Sequence, residues 1–146
     1  MGIFNIMNTS ASGLTAERLR MDVIADNIAN AQSTRTENGG PYRRKMVVFQ
    51  ENKKDFIVPM NLSKKDKKNM EGGVKVSQII EDKSPFNYIY DPNHPDANEN
   101  GYVAMPNVNT VKEMVDMITA TRAYEANTTI ITNAKGMANS ALQIGK

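Results

Sequence analysis

The sequence predicts an α+β fold: an antiparallel, coiled-coil-like pair of long N- and C-terminal helices joined through a small β-rich central module. Three observations lead there. Both ends carry a narrow seam of small and apolar residues in alternating steps of three and four, the spacing of a helix face that packs against another helix. The middle is punctuated by Gly and Pro and holds short runs of alternating polarity. Large side chains are scarce, with four Phe, five Tyr and no Trp in 146 residues. A chain of this length has room for one ordinary domain, but so few bulky groups leave part of its packing to neighbouring subunits.

The first helix is predicted to begin at Asn5 or Asn8, either of which can cap it, and to run to about Ala31. Its seam is Met7, Ser10, Leu14, Glu17, Met21, Ile24, Ile28 and Ala31, with Asn27 and Asn30 beside it. Gly13 is either a weak point or a site of close backbone approach. Asn38-Gly39-Gly40-Pro41 is a turn. Strands are expected at Lys45–Gln50, Phe56–Val58 and Gly73–Ile80, with a weaker one at Tyr88–Tyr90 and a turn at Asn100-Gly101 before Tyr102-Val103. Lys64–Lys68 reads as a charged loop. Thr110-Val-Lys-Glu113 fits a capping box, in which Thr reaches the third helical N–H and Glu reaches back. The second helix then runs toward Ile144, with Gly145 as its stop and Gly136 as a possible bend or contact. Its seam is Met117, Ala120, Tyr124, Asn127, Ile131, Ala134, Ala138 and Ala141. Three units follow: residues 1–34, 35–106 and 107–146. Amides at packed positions sacrifice stability but fix register and partner. Met7, Leu14, Met21, Ile24, Asn27, Ile28, Asn30 and Ala31 on the first helix are therefore candidate assembly residues, as are Met117, Tyr124, Asn127, Ile131, Ala134, Ala138 and Ala141 on the second.

Net charge is +2 but uneven. Residues 35–85 hold twelve basic and seven acidic side chains, whereas both ends are slightly acidic. The absence of Cys excludes disulfide frameworks, Cys-ligated zinc and thiol catalysis. No stretch approaches the ~20 apolar residues of a membrane span. The N-terminal region lacks a basic segment followed by an apolar one, so the general secretory route is not expected.

Candidate chemistry is sparse. His94, the single histidine, lies in Asp91-Pro-Asn-His-Pro-Asp96. A metal site can be read there, but the segment reads first as a proline-braced loop with local Asx hydrogen bonds. No phosphate-binding Gly loop, no Ser/His/Asp order and no distinguished carboxylate pair is present, so neither an enzyme nor a cofactor is expected. The basic groups Arg43-Arg44-Lys45, Lys53-Lys54 and Lys64–Lys68 leave one alternative: a cytoplasmic nucleic-acid-binding or adaptor module, with salt-sensitive binding through residues 40–70.

The same residues resemble a known family. Ser10 to Ala31, closing on Asn27-Ile-Ala-Asn-Ala31, is similar to the N-terminal signature of bacterial flagellar rod, hook and hook-associated proteins. Arg122-Ala-Tyr-Glu-Ala-Asn127 and Pro106 to Met117 are similar to the C-terminal signature. Gly40-Pro-Tyr-Arg-Arg-Lys45, Ser84-Pro85, Tyr90 to Asp96 and Gly101-Tyr-Val103 narrow the likeness to a proximal rod subunit. Asp26, Gln32 and Asn93 depart from the usual pattern in loop and helix-end details. The resemblance implies a structural subunit of the basal-body rod, without cofactor or nucleic acid. It would be exported by the flagellar type III apparatus without a cleaved signal, and would assemble in the periplasm with copies of itself and other rod subunits.

Overall fold

The computed structural model describes residues 3–37, 39–52 and 72–144. In chain order its elements are α1 (Ile3–Ala29), β1 (Lys45–Glu51), β2 (Val74–Glu81), β3 (Asn87–Tyr90), β4 (Tyr102–Met105) and α2 (Thr110–Ile144). The strands form two separate antiparallel pairs, β1 with β2 and β3 with β4. The expected strand at Phe56–Val58, the charged loop at Lys64–Lys68 and the stop at Gly145 lie outside the described residues.

The two long helices pack along each other and run antiparallel. Gly13 faces Asn127, the Met21 sulfur accepts from the Thr121 hydroxyl at 3.6 Å, and Asn27 meets Glu113. Small residues set the spacing: Ala120 and Ala134 are fully buried. Gly13 is there for close approach. A Cβ on it would stand 3.1 Å from the Asn127 amide nitrogen, whereas one on Gly136 would meet nothing within 4 Å. α2 continues unbroken through Gly136. Accordingly, Gly13→Val is expected to destabilise by ~1–3 kcal/mol through overpacking, and Gly136→Ala to stabilise by ~0.5–1 kcal/mol through helix propensity. Urea denaturation of the two variants measures both signs.

The face of α1 that becomes most buried is rotated from the predicted seam. Ser10, Ala16, Val23, Ile24 and Asn27 are buried, while Met7, Leu14, Met21 and Ile28 are half-buried on its flank. The cause is a second neighbour, because β1 and β2 lie on α1 beside α2. The strand pair is anchored from the helix: Ser12 Oγ accepts from Val74 N at 3.1 Å, and Thr9 Oγ1 donates to the Gly72 carbonyl at 3.0 Å. Gly73 lies where a Cβ would stand 2.7 Å from Ser12 Oγ. On α2 the predicted phase matches the buried side, from Met117 and Ala120 through Ala134 and Ala138, until Ala141, which is exposed.

The start of α2 differs from the capping-box expectation. Asn109, one residue earlier, is the cap: its Oδ1 accepts from Val111 N and Lys112 N, both at 3.1 Å. The amide acceptor serves the orphan N–H groups, and Glu113 is left free to turn inward. At the other end of the pair, α1 closes two residues before Ala31, and the Asn30 amide donates to the Asp26 carbonyl at 2.9 Å.

Candidate functional site

The most constrained point of the subunit is a buried polar junction where α1, β1, the end of β2 and α2 meet. Asn27 and Glu113 are each only 1% exposed, an unusual degree of burial for such groups. Every hydrogen-bonding position of the Asn27 amide is used. Its nitrogen donates to the Lys45 carbonyl at 2.8 Å and to Glu113 Oε2 at 3.0 Å. Its oxygen accepts from Lys45 N at 2.9 Å and from the Tyr42 hydroxyl at 3.0 Å. The other Glu113 oxygen accepts from Arg44 Nε at 2.6 Å, and further Arg44 nitrogens stand 3.7 Å from Asp82 and 3.5 Å from Asp116. Asn107 completes the junction, accepting from Arg44 N at 2.9 Å and donating to the Asp82 carbonyl at 3.1 Å. Such a set is tolerated inside because none of its buried side-chain atoms is left without a partner.

Two ionisations follow from this geometry. Burial, followed by the carboxylates of Asp26, Glu113 and Glu81, raises the Tyr42 phenol above its usual 10.0, so it remains a donor to Asn27. Hydrogen bonds from the Ser84 hydroxyl and amide, assisted by Arg44, hold Asp82 below its usual carboxylate range. A raised folded pKa means that the Tyr42 contribution is complete below pH 10.0 and is lost as pH rises through the folded value. Tyr42→Phe is expected to lower stability by ~1 kcal/mol at neutral pH and to flatten the alkaline limb of the stability curve. An unchanged alkaline limb contradicts the hydroxyl's role.

The predicted seam residues fall into three groups. Ile24, Asn27 and Ala134 are buried inside the subunit. Met7, Leu14, Met21, Ile28, Asn30, Ala31, Met117, Tyr124, Asn127, Ile131 and Ala138 are half-buried, and Ala141 is exposed. Sequence periodicity missed Tyr42, Arg44, Asp82, Asn107 and the inward turn of Glu113, since the first four lie on no helix and Glu113 satisfies the local capping pattern. The available signal was the Gly40-Pro-Tyr-Arg-Arg-Lys45 run, a rigid turn followed at once by charge.

Of the basic groups picked out in the sequence, Arg43, Arg44 and Lys45 are engaged within the chain. Arg44 is ringed by three carboxylates, the Arg43 guanidinium lies 4.3 Å over the Phe86 ring, and Lys45 stands 5.5 Å over Tyr42. Lys53, Lys54 and Lys64–Lys68 lie outside the described residues. In the His94 loop, the imidazole Nδ1 accepts from Asp96 N at 3.1 Å, and Asp96 itself accepts from Thr34 Oγ1 at 2.8 Å. Among the described residues no helix is long and apolar enough to cross a membrane, and no three His, Asp or Glu side chains gather as metal ligands.

Much apolar surface is left open. Among the described residues only eight hydrophobic side chains and Pro106 are buried, whereas the outer side of α2 exposes Val111, Met114, Val115 and Ile118, and β3–β4 exposes Tyr88, Ile89, Tyr90 and Tyr102. Open apolar surface of this extent marks contact with other molecules.

Comparison with known proteins agrees. Residues 7–35 match the family model described as flagella basal body rod protein, and residues 99–144 match that of the flagellar basal body rod FlgEFG protein C-terminal region. The chain is 51% identical to the flagellar basal-body rod protein FlgC of Bacillus subtilis, with both chains covered in full. The chain belongs to the FlgC family of flagellar basal-body rod proteins. FlgC of Borreliella burgdorferi is 49% identical over 99% of this chain and 98% of its own, and FlgC of Salmonella typhimurium is 39% identical over the whole of both. As a FlgC-family protein the chain is a structural rod subunit and not an enzyme. The two family matches fall on the two helices and their flanks, the parts of this chain that the polar junction ties together.

Proposed function

We propose that this chain polymerises through its terminal helices into the proximal part of the hollow flagellar drive shaft. Residues 1–34 and 107–146 form the inner helical layer beside the export channel, and residues 35–106 form the outer contacts. Copies of the chain and other rod subunits are its neighbours. It leaves the cytoplasm through the flagellar type III apparatus without a cleaved signal and assembles in the periplasm. Torque passes through many packed seams that share the load; no bond is made or broken. The observation that carries this reading is a helix pair with a small internal core and open outer faces, held in one register by the Asn27–Glu113–Arg44 junction. The test is an immunoblot of detergent-extracted, purified basal bodies. Stable presence of the chain supports the reading; a chain confined to the cytoplasm overturns it.

A further inference from the structure

Each helix carries a second seam, on the side away from its partner. On α1 it is Ala11, Thr15, Arg18, Asp22, Ala25 and Ala29, in alternating steps of four and three, and every member is exposed. On α2 it is Val115, Ile118, Arg122, Glu125, Thr129 and Thr132, with the same steps and the same exposure. These steps keep each set on one face of its helix, where small and apolar residues flank a central pair of opposite charges. Arg18, Asp22, Arg122 and Glu125 form no ion pair with any other described residue.

We propose that the outer seam of α1 packs, antiparallel, on the outer seam of α2 in a second copy of this chain. The inference rests on the rod-subunit reading above and specifies its lateral contact. One register makes the two seams complementary: Ala29 meets Val115, Ala25 meets Ile118, Asp22 meets Arg122, Arg18 meets Glu125, and Thr15 meets Thr129. Val115 and Ile118 find alanines, and both charge pairs are of opposite sign. The register used within the subunit fails here, because it would set Arg18 against Arg122. A parallel arrangement with Arg18 on Glu125 would keep only that ion pair and place Thr15 on Arg122. Opposite-sign pairs of this kind select partner and register more than they add affinity. Thr15, Arg18 and Asp22 also line a groove with Val74, Lys75 and Val76 of β2, so the incoming helix lies along that rim. The two seams are on different helices, so each copy offers one seam to each neighbour. Such a head-to-tail contact closes into a ring or continues as a helical row.

Because the chain has no Cys, cross-linking tests the contact without background. Ala25→Cys/Ile118→Cys, oxidised in purified basal bodies, is expected to give dimers and a ladder of higher oligomers, while Ala25→Cys alone gives none. Arg18→Glu is expected to lose incorporation into basal bodies, and Arg18→Glu/Glu125→Arg to regain it. A chain incorporated with both cysteines but never cross-linked overturns this contact and leaves the rod reading standing. Normal incorporation of Arg18→Glu also overturns the contact. Absence of the unmodified chain from basal bodies overturns both.

Discussion

Arg44→Met is expected to destabilise the subunit by ~3–5 kcal/mol, because it leaves the Glu113 carboxylate buried without its countercharge. Glu113 has two partners, the Arg44 guanidinium at 2.6 Å and the Asn27 amide at 3.0 Å, and at 1% exposure it has no route to water. The native pair itself need not stabilise the fold greatly, since desolvating two ions offsets much of their attraction. The large effect is that of breaking it. For the same reason, Arg44→Met/Glu113→Gln is expected to recover part of the loss, as the neutral amide removes the stranded charge. Urea denaturation of wild type and the single and double variants forms the cycle. A double variant no more stable than Arg44→Met contradicts the assignment of Glu113 as a buried, charged partner.

Asn27→Leu is expected to lower stability by at least ~3 kcal/mol and to abolish motility. Leu keeps the branched heavy-atom skeleton, but four groups lose their partner: the Tyr42 hydroxyl, the Lys45 N–H, the Lys45 carbonyl and Glu113 Oε2. Each buried polar group left unmatched costs ~1–3 kcal/mol. Asn30, three residues later in the same Asn-Ile-Ala-Asn run, is the control. Its amide only closes the end of α1 on Asp26 and accepts from Ser33 at 3.2 Å, so Asn30→Ala should lose ~1 kcal/mol or less. Thermal unfolding separates the two; equal losses would place the junction elsewhere.

The contrast between these asparagines shows how far the sequence could be read. Helix existence was legible because the three-and-four spacing persists over many turns at both ends. Lys45–Gln50 was legible as a short apolar run with β-branched residues at its centre, and Gly73–Ile80 by its alternation. The phase of α1 was not, since a seam read as one-sided is in fact shared between α2 and the β1–β2 pair, which moves the buried centre from Met21 and Ile28 toward Val23 and Asn27. The cap of α2 was misread by one residue: Thr110 with Glu113 satisfies the local pattern, but Asn109 outcompetes it and a non-local partner claims Glu113. The junction was invisible for the same physical reason. Its bonds join residues 86, 69 and 63 positions apart, and no local period encodes such a meeting. The lone histidine and the basic run drew attention by composition, yet the described parts of both are engaged in contacts within the chain.

The central claim is that one chain supplies both helices of a pair within the assembled rod. Met21→Cys/Thr121→Cys tests it most directly, because those side chains touch across the α1–α2 contact and no native thiol competes. After oxidation in purified basal bodies, denaturing electrophoresis without reductant should show an internally cross-linked monomer. A ladder of dimers and higher species would mean that α1 of one subunit pairs with α2 of another, and would contradict the intramolecular pair on which the fold, the junction and the outer seams depend.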